Sequence, residues 1–101
     1  MKNYLEQIKK YDAAPDEQAI KRLEQRLALA LNDQDSANVA ATDIEELQRV
    51  EKWAHEKLGV DEQKAKAAVK KVAELLKSER MKNRVTFYYF VTKELGLLNK
   101  L

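Results

Sequence analysis

Residues 43–60 read DIEELQRVEKWAHEKLGV. Ile44, Leu47, Val50, Ala54 and Leu58 recur at steps of three and four, the spacing that puts side chains on one face of an α-helix. Thr42 with Glu45 gives a capping-box start. Gly59 followed by Val60 gives the stop, with glycine at C′ in the left-handed conformation and an apolar residue folded back beside it. A helix bounded at both ends, apolar on one side and charged on the other, has to bury its apolar side against another element.

The same period runs through the rest of the chain. Asn3 and Glu6 form a capping pair, and Tyr4, Ile8 and Tyr11 follow at helical spacing, so a first helix is expected over about 3–11. Pro15 suits a first helical position, and Asp16 and Glu17 suit a helix N-terminus. Ile20, Leu23, Leu27 and Leu31 extend that second helix over about 15–31. NDQDSANVAA is polar and small and reads as a loop. Asp61 caps a further helix with the stripe Ala65, Ala68, Val69, Val72, Leu75 and Leu76. In KELGLL, Gly96 repeats the stop signal.

One stretch resists the pattern. VTFYYFVT, residues 85–92, consists of β-formers. A strand needs a partner for its backbone groups, and the sequence offers no second strand candidate. The flanking KSERMKN and KEL favour helix. The expected element is therefore a helix over 83–95 whose local propensity yields to packing. At 100° per residue, Met81, Val85, Tyr88, Val91, Thr92 and Leu95 share one broad face, with Phe87 and Tyr89 at its edges. So wide an apolar arc predicts a central helix covered from more than one side. Phe90 falls among Asn83, Thr86, Lys93 and Glu94, on the polar side.

The fold class expected is all-α: a compact single-domain bundle of about five helices over 1–101, with the aromatic-rich last helix central. Two Gly and one Pro in 101 residues agree with long helices rather than many turns. The chain has no Cys. That excludes a disulfide scaffold, thiolate zinc, an iron–sulfur cluster and a Cys nucleophile, and it fits a reducing, cytoplasmic location. No apolar run approaches the ~20 residues of a membrane span.

Chemistry-bearing constellations are sparse. His55 is the sole histidine. HEKLG opens like the zinc-protease H-E-x-x-H, but Gly59 stands where the second His is required. Glu51 lies one turn before His55, and no third ligand is evident. His55 therefore reads as a helix-end histidine near terminal carbonyls. The carboxylates fall into i,i+4 pairs with bases: Glu17–Lys21, Glu45–Arg49, Lys52–Glu56 and Glu62–Lys66. That is the pattern of a solvated face. No phosphate loop or nucleophile elbow is present. An enzyme is not expected, and neither is a cofactor or metal.

The charge is uneven. Residues 1–60 carry nine Lys/Arg against twelve Asp/Glu, −3, and residues 61–101 carry ten against five, +5. Lys77, Arg80, Lys82 and Arg84 cluster just before the aromatic helix, with Lys66, Lys70 and Lys71 upstream. Basic residues beside aromatics are the ingredients of a single-strand binder, so these four are candidate anion or nucleic-acid contacts. The competing and favoured reading is a protein-interaction or self-associating module. It draws on Phe90 on a polar face, Trp53 one step off its stripe, and the apolar tail Leu97, Leu98 and Leu101.

NRVTFYY in the last helix, DIEELQRVEKWAHEKLGV in the middle and YLEQIKKY at the start resemble a family of small bacterial proteins catalogued as a domain of unknown function, number two-eight-five-three. The resemblance covers most of the chain and is least clear over 12–40. It implies a small helical fold and brings no active-site residues with it.

Overall fold

A computed structural model describes residues 3–27, 38–39, 43–79 and 82–100. Among them are five α-helices: α1 (Asn3–Tyr11), α2 (Glu17–Arg26), α3 (Ile44–Leu58), α4 (Glu62–Leu75) and α5 (Arg84–Glu94). Two-residue segments β1 (Asn38–Val39) and β2 (Lys82–Asn83) pair antiparallel, Asn38 opposite Asn83 and Val39 opposite Lys82. A 3-10 turn follows at Leu98–Lys100. The all-α class expected from the sequence is the class found. Thr42, Met81, Leu101, the extension of the second helix to residue 31, and the side chains of Asn3 and Tyr4 lie outside the described residues.

The helix ends follow local chemistry, with shifts of a residue or two. Asp16, Asp43, Asp61 and Asn83 each cap a helix by accepting an N–H two or three residues on. Pro15 therefore precedes α2 rather than opening it. Gly59, at φ 69° and ψ 25°, ends α3 in the left-handed region. Gly96 does the same for α5 at φ 71°, with Leu97 N–H donating to the Thr92 carbonyl at 3.0 Å and Gly96 N–H to Lys93 at 2.9 Å. That is the full Schellman arrangement. A Cβ placed on Gly59 meets nothing within 4 Å. Gly59→Ala is thus expected to cost about 1 kcal/mol, all of it backbone strain, read as a shift of the urea midpoint at unchanged m-value.

α5 packs against all four other helices. That explains the one large departure from the helical wheel. Residues 84–92 are buried without a break, so this helix has no polar side until Lys93. Phe90 is 5% exposed, with its ring edge-on to Tyr11 (centroids 6.0 Å) and to Tyr89 (5.2 Å). The expectation of Phe90 on a polar face is corrected: α1 occupies that side and covers it. α3 and α4, joined by Gly59–Asp61, form a helical hairpin whose inner stripes, Val50, Ala54 and Leu58 with Ala65, Ala68, Val69 and Val72, belong to the same core.

Two polar clasps tie the N-terminal helices to this centre. Tyr89 Oη donates to Asp12 Oδ2 at 2.7 Å and accepts the Asp16 N–H at 2.9 Å, and Lys93 Nζ reaches Asp12 at 3.0 Å. The Tyr89 hydrogen bond holds the Asp12 carboxyl below its ordinary range. On α1, Tyr11 Oη donates to Glu79 Oε2 at 2.8 Å and Gln7 Nε2 to Oε1 at 3.1 Å. The Tyr11 bond is the main cause of a lowered Glu79 pKa.

Burial raises the Tyr89 hydroxyl to about 12 from an ordinary 10.0. Between those values the native state holds a proton that the unfolded chain releases, so stability falls as pH rises through that window. Tyr89→Phe is expected to cost about 1–3 kcal/mol at pH 7, because Asp12 and the Asp16 N–H lose their partner. It should also remove the step at about 12 from a tyrosinate absorbance titration. A titration unchanged by the substitution would place that step elsewhere.

Candidate functional site

The sequence places two stripes beside the core stripes of the hairpin. On α3 these are Ile44, Leu47, Gln48, Glu51 and His55, and on α4 they are Glu62, Lys66, Lys70 and Ala73, continuing to Lys77. The turn at Gly59 brings the stripes face to face. Between them run two clefts of about 430 and 470 Å³ that share Gln48, Glu51 and Lys66, making one trough. From Ile44 to His55 it follows eleven residues of helix, about 16 Å at 1.5 Å per residue.

The far part of the trough is apolar at its base. Val69 is buried, Leu47 and Ala73 are half-buried, and Ile44 is 70% exposed. Ile44 and Leu75 are the large apolar side chains left exposed among the described residues. The α4 rim is basic. Lys66 and Lys70 are exposed one turn apart on α4, Lys77 is exposed in the turn two residues past its end, and among the described residues none of the three has an ion pair. Lys82 closes that end, its amine donating to the Glu79 carbonyl at 2.7 Å. Glu51 and Glu74 are the acids of this part.

The end near the turn is polar. His55 Nδ1 lies 2.7 Å from the Val60 carbonyl, which can only accept, so Nδ1 carries the proton and Nε2 faces Glu62 Oε1 at 4.0 Å. His55 is thus a helix-end histidine whose carbonyl partner lies just past the cap. Glu51, His55 and Glu62 line the same cleft, but no group of three or more potential metal ligands converges among the described residues.

The basic stretch of the sequence does not stay together. Arg84 is 3% exposed and turns into the core, where Nη2 donates to Glu46 Oε1 at 2.6 Å and Nη1 to Tyr88 Oη at 3.2 Å. Its place in a surface anion site is therefore corrected. The buried aromatic helix starts at Arg84, and an arginine there can be accommodated because α3 supplies a carboxylate. Glu46 Oε2 is buried 3.1 Å from the Arg49 guanidinium, an ion pair without hydrogen-bond alignment. Arg49 thus pairs with Glu46 rather than with Glu45. Arg80 lies outside the described residues. Lys77 and Lys82 join the trough instead, beside Lys66 and Lys70.

The apolar candidates also part company. Trp53 is half-buried and tilted onto Tyr88, ring centroids 4.6 Å apart, so it roofs the core edge. Leu97 and Leu98 are half-buried against the core, and with Phe90 covered the four do not make an exposed patch. What sequence reasoning missed is Ile44 as a surface residue and the lysine stripe as its neighbour. The signal was present in Lys66 and Lys70, one helical turn apart and followed by Lys77, and was overshadowed by the denser run at 77–84.

No helix among the described residues is long and apolar enough to cross a membrane. Residues 3–99 match the family described as "Protein of unknown function (DUF2853)". No curated protein and no solved structure matches the chain.

Proposed function

The chain belongs to the DUF2853 family, and we propose that it works as a non-enzymatic, cytoplasmic interaction module whose α3–α4 trough receives a segment of another protein. The observation that carries this reading is Ile44, 70% exposed over a floor continuous with the core. A large apolar side chain gains by being covered, at about 25 cal/mol per Å² removed from water. Glu51, His55 and Glu62 line its polar end without three potential metal ligands converging among the described residues, and the apolar floor and charged rim are the anatomy of a docking surface.

Ile44→Asp tests it. An exposed substitution leaves stability within about 0.5 kcal/mol. Chemical cross-linking of purified wild type with a protein that it captures and Ile44→Asp does not, in a defined 1:1 complex, is the expected result. A captured second copy of this chain would make the module self-associating. Equal capture by both forms would remove the trough from the reading.

Nucleic-acid binding through residues 77–84 is the competing reading. Its basis is the lysines of the trough rim, and Arg84, committed to Glu46, no longer contributes to it. It requires a labelled single strand or duplex to bind at low salt and release steeply as salt rises.

A further inference from the structure

Resting on the trough as a protein-docking surface, we propose that its occupant is an acidic amphipathic α-helix. The carboxylates of that helix meet Lys66, Lys70 and Lys77, and its apolar stripe covers Ile44, Leu47 and Ala73.

Charge complementarity selects the sign. Lys66 and Lys70 on α4 and Lys77 just past its end are exposed and, among the described residues, have no ion pair; with Lys82 they outnumber Glu51 and Glu74, the acids of the same cleft. Shape selects the helix. The walls are two helices joined by a short turn, and their surface ridges run along i±3 and i±4 rows that match the rows of a third helix. The trough's length of about 16 Å is three helical turns. An extended peptide would present side chains every second residue to alternate sides and cover the floor with half of them.

The rim also fixes a register. Lys66 to Lys70 is about 6 Å along the axis, and Lys77 follows in the turn past the end of α4. An occupant therefore needs acids at i and i+4 for Lys66 and Lys70, and a third at i+11 if parallel, or at i−7 if antiparallel, to reach toward Lys77. Either set lies within about 40° of one face. The same arrangement is poor for a polynucleotide. Among the described residues the trough lining offers no Phe, Tyr or Trp face for a base to stack on, and Trp53 is engaged with Tyr88.

The test uses the full chain and three fluorescent 18-residue peptides. One carries Glu at i, i+4 and i+11 beside a Leu/Ala stripe. The second is its isomer with the same composition and the acids on the opposite face. The third has Lys at the three acidic positions. A labelled 20-mer single-stranded DNA is run alongside. The expected result is binding of the acidic peptide about tenfold or more tighter than its isomer, weakening as salt rises. Lys66→Glu, Lys70→Glu and Lys77→Glu together should remove that preference and transfer it to the lysine peptide. Circular dichroism reports whether the triple variant folds. If it does not, the single changes Lys66→Gln, Lys70→Gln and Lys77→Gln should each weaken the acidic peptide while leaving the isomer unchanged.

Equal affinity for acidic peptide and isomer, or indifference to the lysine changes, overturns the proposal. So does tight binding of the DNA with no peptide binding. Ile44→Asp separates this failure from failure of the docking reading. A partner lost by Ile44→Asp while acidic and permuted peptides bind equally means a docking trough with a different occupant.

Discussion

Arg84→Ala is expected to destabilise the protein by about 3–5 kcal/mol, the cost of removing one member of a buried ion pair. The arginine is 3% exposed, and the side chain of its partner Glu46 only 13%. Deleting the guanidinium leaves the Glu46 carboxylate, among the described residues, to Arg49, at the 3.1 Å contact that makes no hydrogen bond. It also takes the donor from Tyr88 Oη and the cation from beside its ring, 5.7 Å from centroid. The pair itself need not be stabilising, because its desolvation offsets its attraction. Hence the double change Glu46→Leu with Arg84→Met, which removes both charges and keeps their volume, should recover most of the loss. Guanidinium unfolding of the three proteins at one pH decides the matter. An Arg84→Ala protein within about 1 kcal/mol of wild type, at the same m-value, would contradict the burial of this arginine.

Phe90→Asp should leave no cooperative folded state at 25 °C. Truncating a buried Phe costs about 3–5 kcal/mol, and a carboxylate in its place adds an uncompensated charge. Against a total of about 5–15 kcal/mol for a domain, little or nothing remains. The ring fills the space between α1 and α5, against Tyr11 and Tyr89, with Lys93 Nζ 6.0 Å from its centroid. Phe90→Leu keeps most of that volume and should cost under about 1.5 kcal/mol. Thermal melts by circular dichroism separate the cases. A sharp melt for Phe90→Asp near the wild-type midpoint would return Phe90 to the surface and reopen it as an interface residue.

Both predictions fall where the helical wheel and the tertiary structure part. The wheel treats a helix as having one inside. It therefore sorted Phe90 with Lys93 and Glu94, while the linear run of basic residues left Arg84 in a surface cluster with Lys77 and Lys82. A helix surrounded on all sides has no such division. Periodicity within residues 84–92 carries no information about which of them is exposed, because none is. The exposure of Ile44 is the converse case: it keeps the α3 period but lies at the helix's first residue, beyond the reach of the elements that cover Val50, Ala54 and Leu58.

What the sequence determined alone was everything local. The all-α class, the helix stops at Gly59 and Gly96, the Asp61 cap and the centrality of the last helix follow from short-range spacing, capping chemistry and apolar content, which act within a few residues of chain. Even the β-forming VTFYYFVT is a helix; among the described residues the strand pairing is that of Asn38–Val39 with Lys82–Asn83, which stops at its threshold. What only the tertiary structure decided was the fate of side chains whose partners are distant in sequence: Glu46 drawing Arg84 inward across 38 residues, and Tyr11 covering Phe90. Likewise α4 turns Lys66 and Lys70 toward the exposed flank of α3. Charge and hydrophobicity state what a residue requires, and the packing of the helices decides which residues are near enough to supply it.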